Sequence, residues 1–149
     1  MALTKVQSEM AGAGQVLQVV SSSNNTSFST TSTSFVSTGL GLSITPKFAT
    51  SKILILFTSA FYANTVAQAC ATIYRGGTEL SGQANGFSPN VYSNAAAMGA
   101  PLTISYVDSP ATTSSTTYTA YLRSNTGGAT VYYNGASGLN TFILMEIAA

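Results

Sequence analysis

The sequence contains no histidine, no tryptophan and a single cysteine, Cys70. Without histidine there is no imidazole to act as a general base or to bind a metal ion. A single cysteine allows neither an intrachain disulfide nor a zinc site built from several thiolates. We therefore expect no metal ion, no cofactor and none of the catalytic mechanisms that depend on imidazole.

Charged residues are also scarce. Five Lys or Arg and four Asp or Glu make up 6% of the 149 residues and leave a net charge of +1, whereas charged residues average roughly 25% in soluble domains. Five scattered cations form no basic patch, so we expect neither a nucleic-acid nor a membrane partner. Residues 1–9 lack the apolar core of a secretory signal, which predicts synthesis in a cytoplasm.

Hydroxyl side chains take the place of the missing charges, with 21 serines and 21 threonines. Hydrophobic residues still reach 45% of the chain, which is enough to build a core. The length fits one domain. From Val16 onward, short runs of β-forming residues recur at intervals of roughly 8–12 residues. This pattern predicts an all-β fold, a jelly-roll-like β-sandwich of eight to ten strands over residues 16–149.

Two predicted strands are apolar on both faces, at residues 52–63 and 142–147. One face of each can meet the domain core, and the other needs a second sheet or another subunit. A buried Ile or Leu contributes about 1.5–3 kcal/mol relative to an exposed one, so we expect a symmetric oligomer, a homotrimer. The residues predicted for the subunit interface are Ile53, Ile55, Phe57, Phe142 and Leu144.

Residues 1–15 form a distinct N-terminal piece. Leu3, Val6 and Met10 recur at the spacing of one helix face. So short a helix is not stable alone in water, and Gly12 and Gly14 end it. The pattern predicts an attachment arm that becomes ordered against a partner; a frayed tail is the alternative.

Few other residues suggest chemistry. Arg75, Arg123 and Tyr92 are candidates for contact with a partner or ligand; packing or solvent exposure is the alternative for each. Glu79 with Asp108 is the one acidic pair worth testing for glycoside hydrolysis. Cys70, with no histidine to activate it, is expected to be a buried apolar residue.

The order of several segments resembles a family of small β modules found in bacteriophage structural proteins, often at the tips of tail fibres. The matching segments are residues 15–20 (QVLQVV), 28–36 (FSTTSTSFV), 42–46 (LSITP), 51–55 (SKILI), 73–76 (IYRG), 106–110 (YVDSP), 117–121 (TYTAY) and 144–148 (LMEIA). The opening residues 1–6 (MALTKV) are similar to the virion-attachment arms of phage spike and fibre proteins. The resemblance implies a trimeric jelly roll without catalysis, displayed on a virion.

The short arm separates this chain from fibre proteins, which carry a shaft. We therefore expect a virion protein that decorates the capsid, with itself and the major capsid protein or a tail protein as partners. A short tail fibre or knob that binds host-surface carbohydrate, through residues 82–99 or the Ser/Thr-rich segment, is the alternative. A carbohydrate-active enzyme is a remote third possibility.

Overall fold

The protein is described by a computed structural model that covers residues 12–64, 66–87, 91–93, 97–134 and 138–149, with residues 91–93 described by their backbone alone. Within these ranges all regular structure is β-strand. The strands are β1 (Val16–Asn24), β2 (Phe28–Thr30), β3 (Val36–Ile44), β4 (Lys52–Ala63), β5 (Ala67–Arg75), β6 (Thr78–Glu79), β7 (Val91–Ser93), β8 (Met98–Asp108), β9 (Thr116–Ser124), β10 (Val131–Tyr133) and β11 (Asn140–Ile147).

Two antiparallel sheets pack together as a β-sandwich, as the strand pattern predicts. In the six-stranded sheet, β4 is central: β8 pairs along one edge, and β11 and β10 share the other. Strand β1 flanks β11, and β2 flanks β10. The five-stranded sheet has the order β3-β9-β5, with β6 and β7 sharing the free edge of β5. Apolar side chains alternate along the strands, and the apolar side of each sheet faces the other sheet.

The core lies between the two sheets. Phe57 and Phe61 of β4 flank the ring of Tyr133, at centroid distances of 5.5 and 5.2 Å. The Tyr133 hydroxyl donates a hydrogen bond of 3.0 Å to the backbone oxygen of Tyr121 in β9. A buried phenol with a hydrogen-bond partner avoids the cost of an unpaired polar group, so this ring both fills the core and joins the sheets.

The predicted subunit-interface residues belong to this core, so the interface prediction is wrong. Ile53, Ile55, Phe57 and Leu144 are fully buried within one chain, and Phe142 is 4% exposed. The reason is that the five-stranded sheet covers this side of β4 and β11, which leaves no surface for a second subunit. The opposite side of the same strands is the one that stays uncovered.

Three local sequence patterns predict something other than what the structure shows. The alternating patterns at residues 34–38 and 40–45 predict two strands but form one, β3, which continues through a register shift at Gly39, where φ is +73°. Residues 125–128 (NTGG) predict a hairpin turn, but β9 and β10 lie in different sheets. Residues 82–99 predict a long loop, but they contain β7 and the start of β8. By contrast, Gly76 and Gly77 predict a hairpin turn, which the pairing of Arg75 with Thr78 confirms.

Candidate functional site

An apolar surface covers part of the outer side of the six-stranded sheet. The neighbours of core residues along β1, β4, β8 and β11 point away from the core because side chains alternate along a strand. The register places Val19 beside Met145, Met145 beside Leu54, and Leu54 beside Val107, so an apolar row crosses four strands. Val19 and Val107 are 53% and 48% exposed, and the two central side chains are half-buried.

Neighbouring rows enlarge this row into a surface that we call the apolar outer face. On one side lie Val16 and Ile147, paired across β1 and β11. On the other lie Ile143 and Leu56, paired across β11 and β4. The apolar outer face consists of Val16, Val19, Leu54, Leu56, Val107, Ile143, Met145 and Ile147.

Further along the same strands, the outer side becomes polar but stays uncharged. Ser23, Thr141, Thr58 and Thr103 form the next complete row beyond Leu56. Among the described residues that point outward from β1, β4, β8 and β11, Lys52 carries the only charge, and it lies beside Ile147 at the end of the apolar half. The sheet therefore presents one apolar half and one hydroxyl-rich half.

The first described residues of the chain lie beside the apolar outer face. Leu3, Val6 and Met10 lie outside the described residues. The first described residues are tied to the end of β11: Gly14 N–H donates to the Ala148 oxygen at 2.8 Å, and Ala148 N–H donates to the Gln15 oxygen at 2.9 Å. Gly14 and Gln15 therefore lie next to the end of β11, at one end of the face.

The predicted contact residue Tyr92 lies in β7, where its backbone pairs with Gln68. The structure describes the backbone of Tyr92 but not its side chain. A partner contact through this tyrosine stays a prediction.

Arg75 holds an internal ion pair that links the two sheets. Its Nη1 donates to both carboxylate oxygens of Asp108, at 2.7 and 2.8 Å, and to the Ser109 backbone oxygen at 3.3 Å. The Tyr118 hydroxyl donates to Asp108 Oδ2 at 2.7 Å. Burial, this hydrogen bond and the Asp108 charge raise the pKa of Tyr118. The cluster fixes the end of β8 to β5 and β9, so the structure gives Arg75 a structural partner.

Arg123 fastens the segment after β6 to the five-stranded sheet. Its Nη2 donates to the Ala84 oxygen at 2.9 Å and to Asn85 Oδ1 at 2.6 Å, while its Nη1 donates to the Thr33 oxygen at 3.3 Å. The guanidinium also lies 5.3 Å from the centre of the Phe35 ring, within cation–π range. Both arginines predicted to contact a partner thus have intrachain contacts, and partner contact stays a prediction for each.

The two acids Glu79 and Asp108 are each held by structural partners. The Glu79 carboxylate accepts hydrogen bonds from the backbone N–H groups of Ser81 and Gly82, at 2.9 and 2.7 Å, and from the Thr72 hydroxyl. Burial alone would raise the pKa of Glu79, but these hydrogen bonds outweigh it and lower the pKa. Asp108, 6% exposed, is bound by Arg75 and Tyr118 as described above.

Glu146 is a fully buried acid in β11 that the sequence did not single out. Its carboxylate accepts hydrogen bonds from Gln18 Nε2 at 2.6 Å and from the backbone N–H groups of Lys47 and Phe48, at 2.7 and 3.3 Å. Burial opposes ionisation, but the hydrogen bonds outweigh it and lower the pKa of Glu146. This carboxylate holds the segment after β3 against β1 and β11.

A pair of stacked tyrosines lies on the outer side of the five-stranded sheet. The rings of Tyr74 and Tyr121 are 3.9 Å apart at an interplanar angle of 26°, and both side chains are half-buried. Burial, followed by the neighbouring Glu79 and Tyr121, raises the pKa of Tyr74. The strands place these rings together because Tyr74 and Tyr121 occupy diagonal positions on neighbouring strands.

Cys70 is fully buried, as predicted. Burial raises the pKa of its thiol, and the charge of Arg123 offsets this only in part. In the described ranges, no group of three or more acidic or cysteine side chains is arranged to hold a metal ion. The described residues likewise include no helix of the length and apolarity needed to cross a membrane.

Comparison with known proteins assigns this chain to no family. No protein-family model matches the chain, and no curated protein matches it significantly.

Proposed function

We propose that this chain is a non-enzymatic structural protein of a bacteriophage virion, a homotrimeric decoration protein attached to the capsid by its N-terminal arm. The observation that carries the proposal is the apolar outer face on a tightly tied β-sandwich, with the arm starting at one end of it. Decoration requires a compact module that contacts its own copies and a particle at once. An uncharged face and an adjacent arm could serve those two contacts.

The strand order supports a jelly-roll identity. One sheet contains the order β1-β11-β4-β8 and the other the order β3-β9-β5-β7. Two four-stranded sheets related by Greek-key connections are the arrangement of jelly rolls, which occur in viral capsid and lectin domains. This is an analogy of fold, and the phage assignment rests on the resemblance of the segments described above.

The arm is tested by removing residues 1–11. This truncation keeps the contact between Gly14 and Ala148, so the domain should fold and keep its oligomeric mass. We expect the truncated protein to lose binding to phage capsids that lack the native protein, measured by co-sedimentation. Retained capsid binding would refute attachment through the arm. Gold labelling of intact particles, with copies spread over the capsid, would support decoration, whereas labelling confined to the tail would refute it.

A glycan-binding tail knob is the second candidate, favoured by the stacked pair Tyr74 and Tyr121. Aromatic rings that are partly exposed suit the apolar faces of sugars. If this candidate is correct, purified protein blocks phage adsorption to cells, and Tyr121→Ala abolishes the block. Tyr132→Ala is the matched control, because Tyr132 packs on Tyr62 in the other sheet. No block by the wild-type protein, or equal loss in both variants, would count against the knob.

A further inference from the structure

We propose that the apolar outer face is the surface through which copies of this chain associate, an inference that rests on the assembly part of the proposed function. The sequence placed the interface on the opposite side of β4 and β11, which the structure fills with core contacts. The occupant proposed for the outer face is another copy of the same chain.

The exposure of this face is the first argument. Val16, Val19 and Val107 are 54%, 53% and 48% exposed, and they account for half of the six large hydrophobic residues that are most exposed among the described residues. These three lie on β1 and β8, around the half-buried Leu54 and Met145. Scattered exposed hydrophobic residues are ordinary, but a contiguous apolar patch on a soluble protein marks a contact surface.

The dimensions are the second argument. Strands lie about 4.8 Å apart, and residues on one side of a strand repeat every ~6.8 Å. Four strands and four rows, from Val16 to Ser23, therefore give a flat area of about 500 Å² before side-chain relief is added. A stable protein interface takes about 800 Å² of accessible surface from each partner. The apolar rows with their hydroxyl-rich extension thus provide most of one interface, with an apolar centre and a polar rim.

Charge decides between possible occupants. Lys52 is the single charge on the outward residues of these four described strands, so the face offers little to a charged protein surface or to an anionic lipid headgroup. A second copy of the same face brings no charge other than its own Lys52. In addition, small side chains lie beside large ones, with Ser105 next to Leu56 and Ser21 next to Ile143, so the face has relief against which a second copy can pack.

The experiment compares two double variants on the same two strands. Val19→Lys with Val107→Lys adds charge to the apolar row, at positions about half exposed in the single chain, so the fold should tolerate it. Ser23→Lys with Thr103→Lys adds the same charge to the hydroxyl row, four residues along β1 and β8 on the same side. This row is the polar rim of the proposed interface, where a lysine can keep its ammonium group in water. Circular dichroism and thermal melting verify that each variant is folded, and light scattering after gel filtration gives its mass.

We expect the wild type and the Ser23/Thr103 variant to share one oligomeric mass, and the Val19/Val107 variant to have the 15.3 kDa mass of one chain. A folded Val19/Val107 variant with the wild-type mass would overturn this inference and leave assembly through another surface intact. Equal dissociation of both variants would also overturn it. Wild-type protein with the mass of one chain would overturn both the inference and the proposed trimer.

Two further outcomes distinguish association through this face from association through the arm, and test the number of chains in the oligomer. If the truncation of residues 1–11 alone dissociates the oligomer, the arm is the occupant and the inference is overturned. If the wild type has the mass of two chains and the Val19/Val107 variant that of one, the face is supported and the trimer is refuted.

Discussion

At the scale of single residues, four of this protein's few charged side chains act inside the fold. Arg75, Asp108, Glu146 and Glu79 all have two or more hydrogen bonds within the chain. In a chain with so few ionisable groups, each one that is buried must be paired or hydrogen-bonded, because an unpaired buried charge is costly. These four charges hold loops and sheets together.

Removing the Asp108 carboxylate should be costly. Asp108→Ala leaves the Tyr118 hydroxyl buried without its acceptor and Arg75 without its ion-pair partner. We expect a loss of about 2–3 kcal/mol in the free energy of unfolding, below the usual cost of breaking a buried pair because the Arg75 side chain is 29% exposed. Urea denaturation measures it. Asp108→Asn keeps one acceptor oxygen and should cost less, so equal losses in the two variants would contradict the role of the hydrogen bonds.

Acid should destabilise the protein through Glu146 and Glu79. Both have pKa values lowered from an ordinary 4.5. A carboxyl group whose pKa is lower in the folded state stabilises the fold above its unfolded pKa, and this contribution is lost as the pH falls through the folded pKa. The melting temperature should therefore decline as the pH drops below about 5. Glu146→Gln should flatten this decline, and an unchanged pH profile in that variant would contradict the assignment.

At the scale of elements, local pattern located most strands, and long-range contacts decided the exceptions. Strand β4 runs over Lys52–Ala63, the bounds that its unbroken β-forming run predicts. Strand β3 passes through Gly39 because a bulge accommodates its positive φ. Residues 125–128 carry hairpin-type turn residues, yet they connect two sheets, because β10 finds its partners in β2 and β4. Turn chemistry predicts a change of direction, not the partner of the next strand.

The segment after β6 depends on a close backbone approach at Gly86. This glycine has a φ of +72° and bridges Ala71, and an added Cβ would lie 2.2 Å from the Ala71 oxygen. We expect Gly86→Ala to lower the free energy of unfolding by about 3 kcal/mol or to detach this segment, as measured by urea denaturation and limited proteolysis. Gly82→Ala has a similar φ of +64° but open space around it, so it should cost only about 1 kcal/mol. Equal effects would contradict the packing argument.

At the scale of the whole molecule, the sandwich completes its own core and leaves one apolar face uncovered. Ile53, Ile55, Phe57, Phe142 and Leu144 are buried in a single chain, so these core contacts need no second subunit. Association through the apolar outer face would add stability to that of the core.

Such association makes stability depend on concentration. If copies bind through the apolar outer face in the folded state only, mass action raises the melting temperature as protein concentration increases. We expect the wild type to show this rise over a hundredfold range in calorimetry, and the Val19→Lys/Val107→Lys variant to lose it. A melting temperature independent of concentration in the wild type would contradict association coupled to folding.

The sequence by itself determined the class of this protein and the character of its strands. Hydrophobic alternation, turn residues and scarce charge predicted an all-β chain with a buried Cys70 and apolar residues on both sides of β4 and β11. Which of those two sides becomes the core was decided by tertiary structure alone. The phenylalanines Phe57 and Phe142 share the buried side, but alternation treats the two sides of a strand alike. Only the pairing of strands distant in the chain places the second sheet over one side and leaves the other exposed.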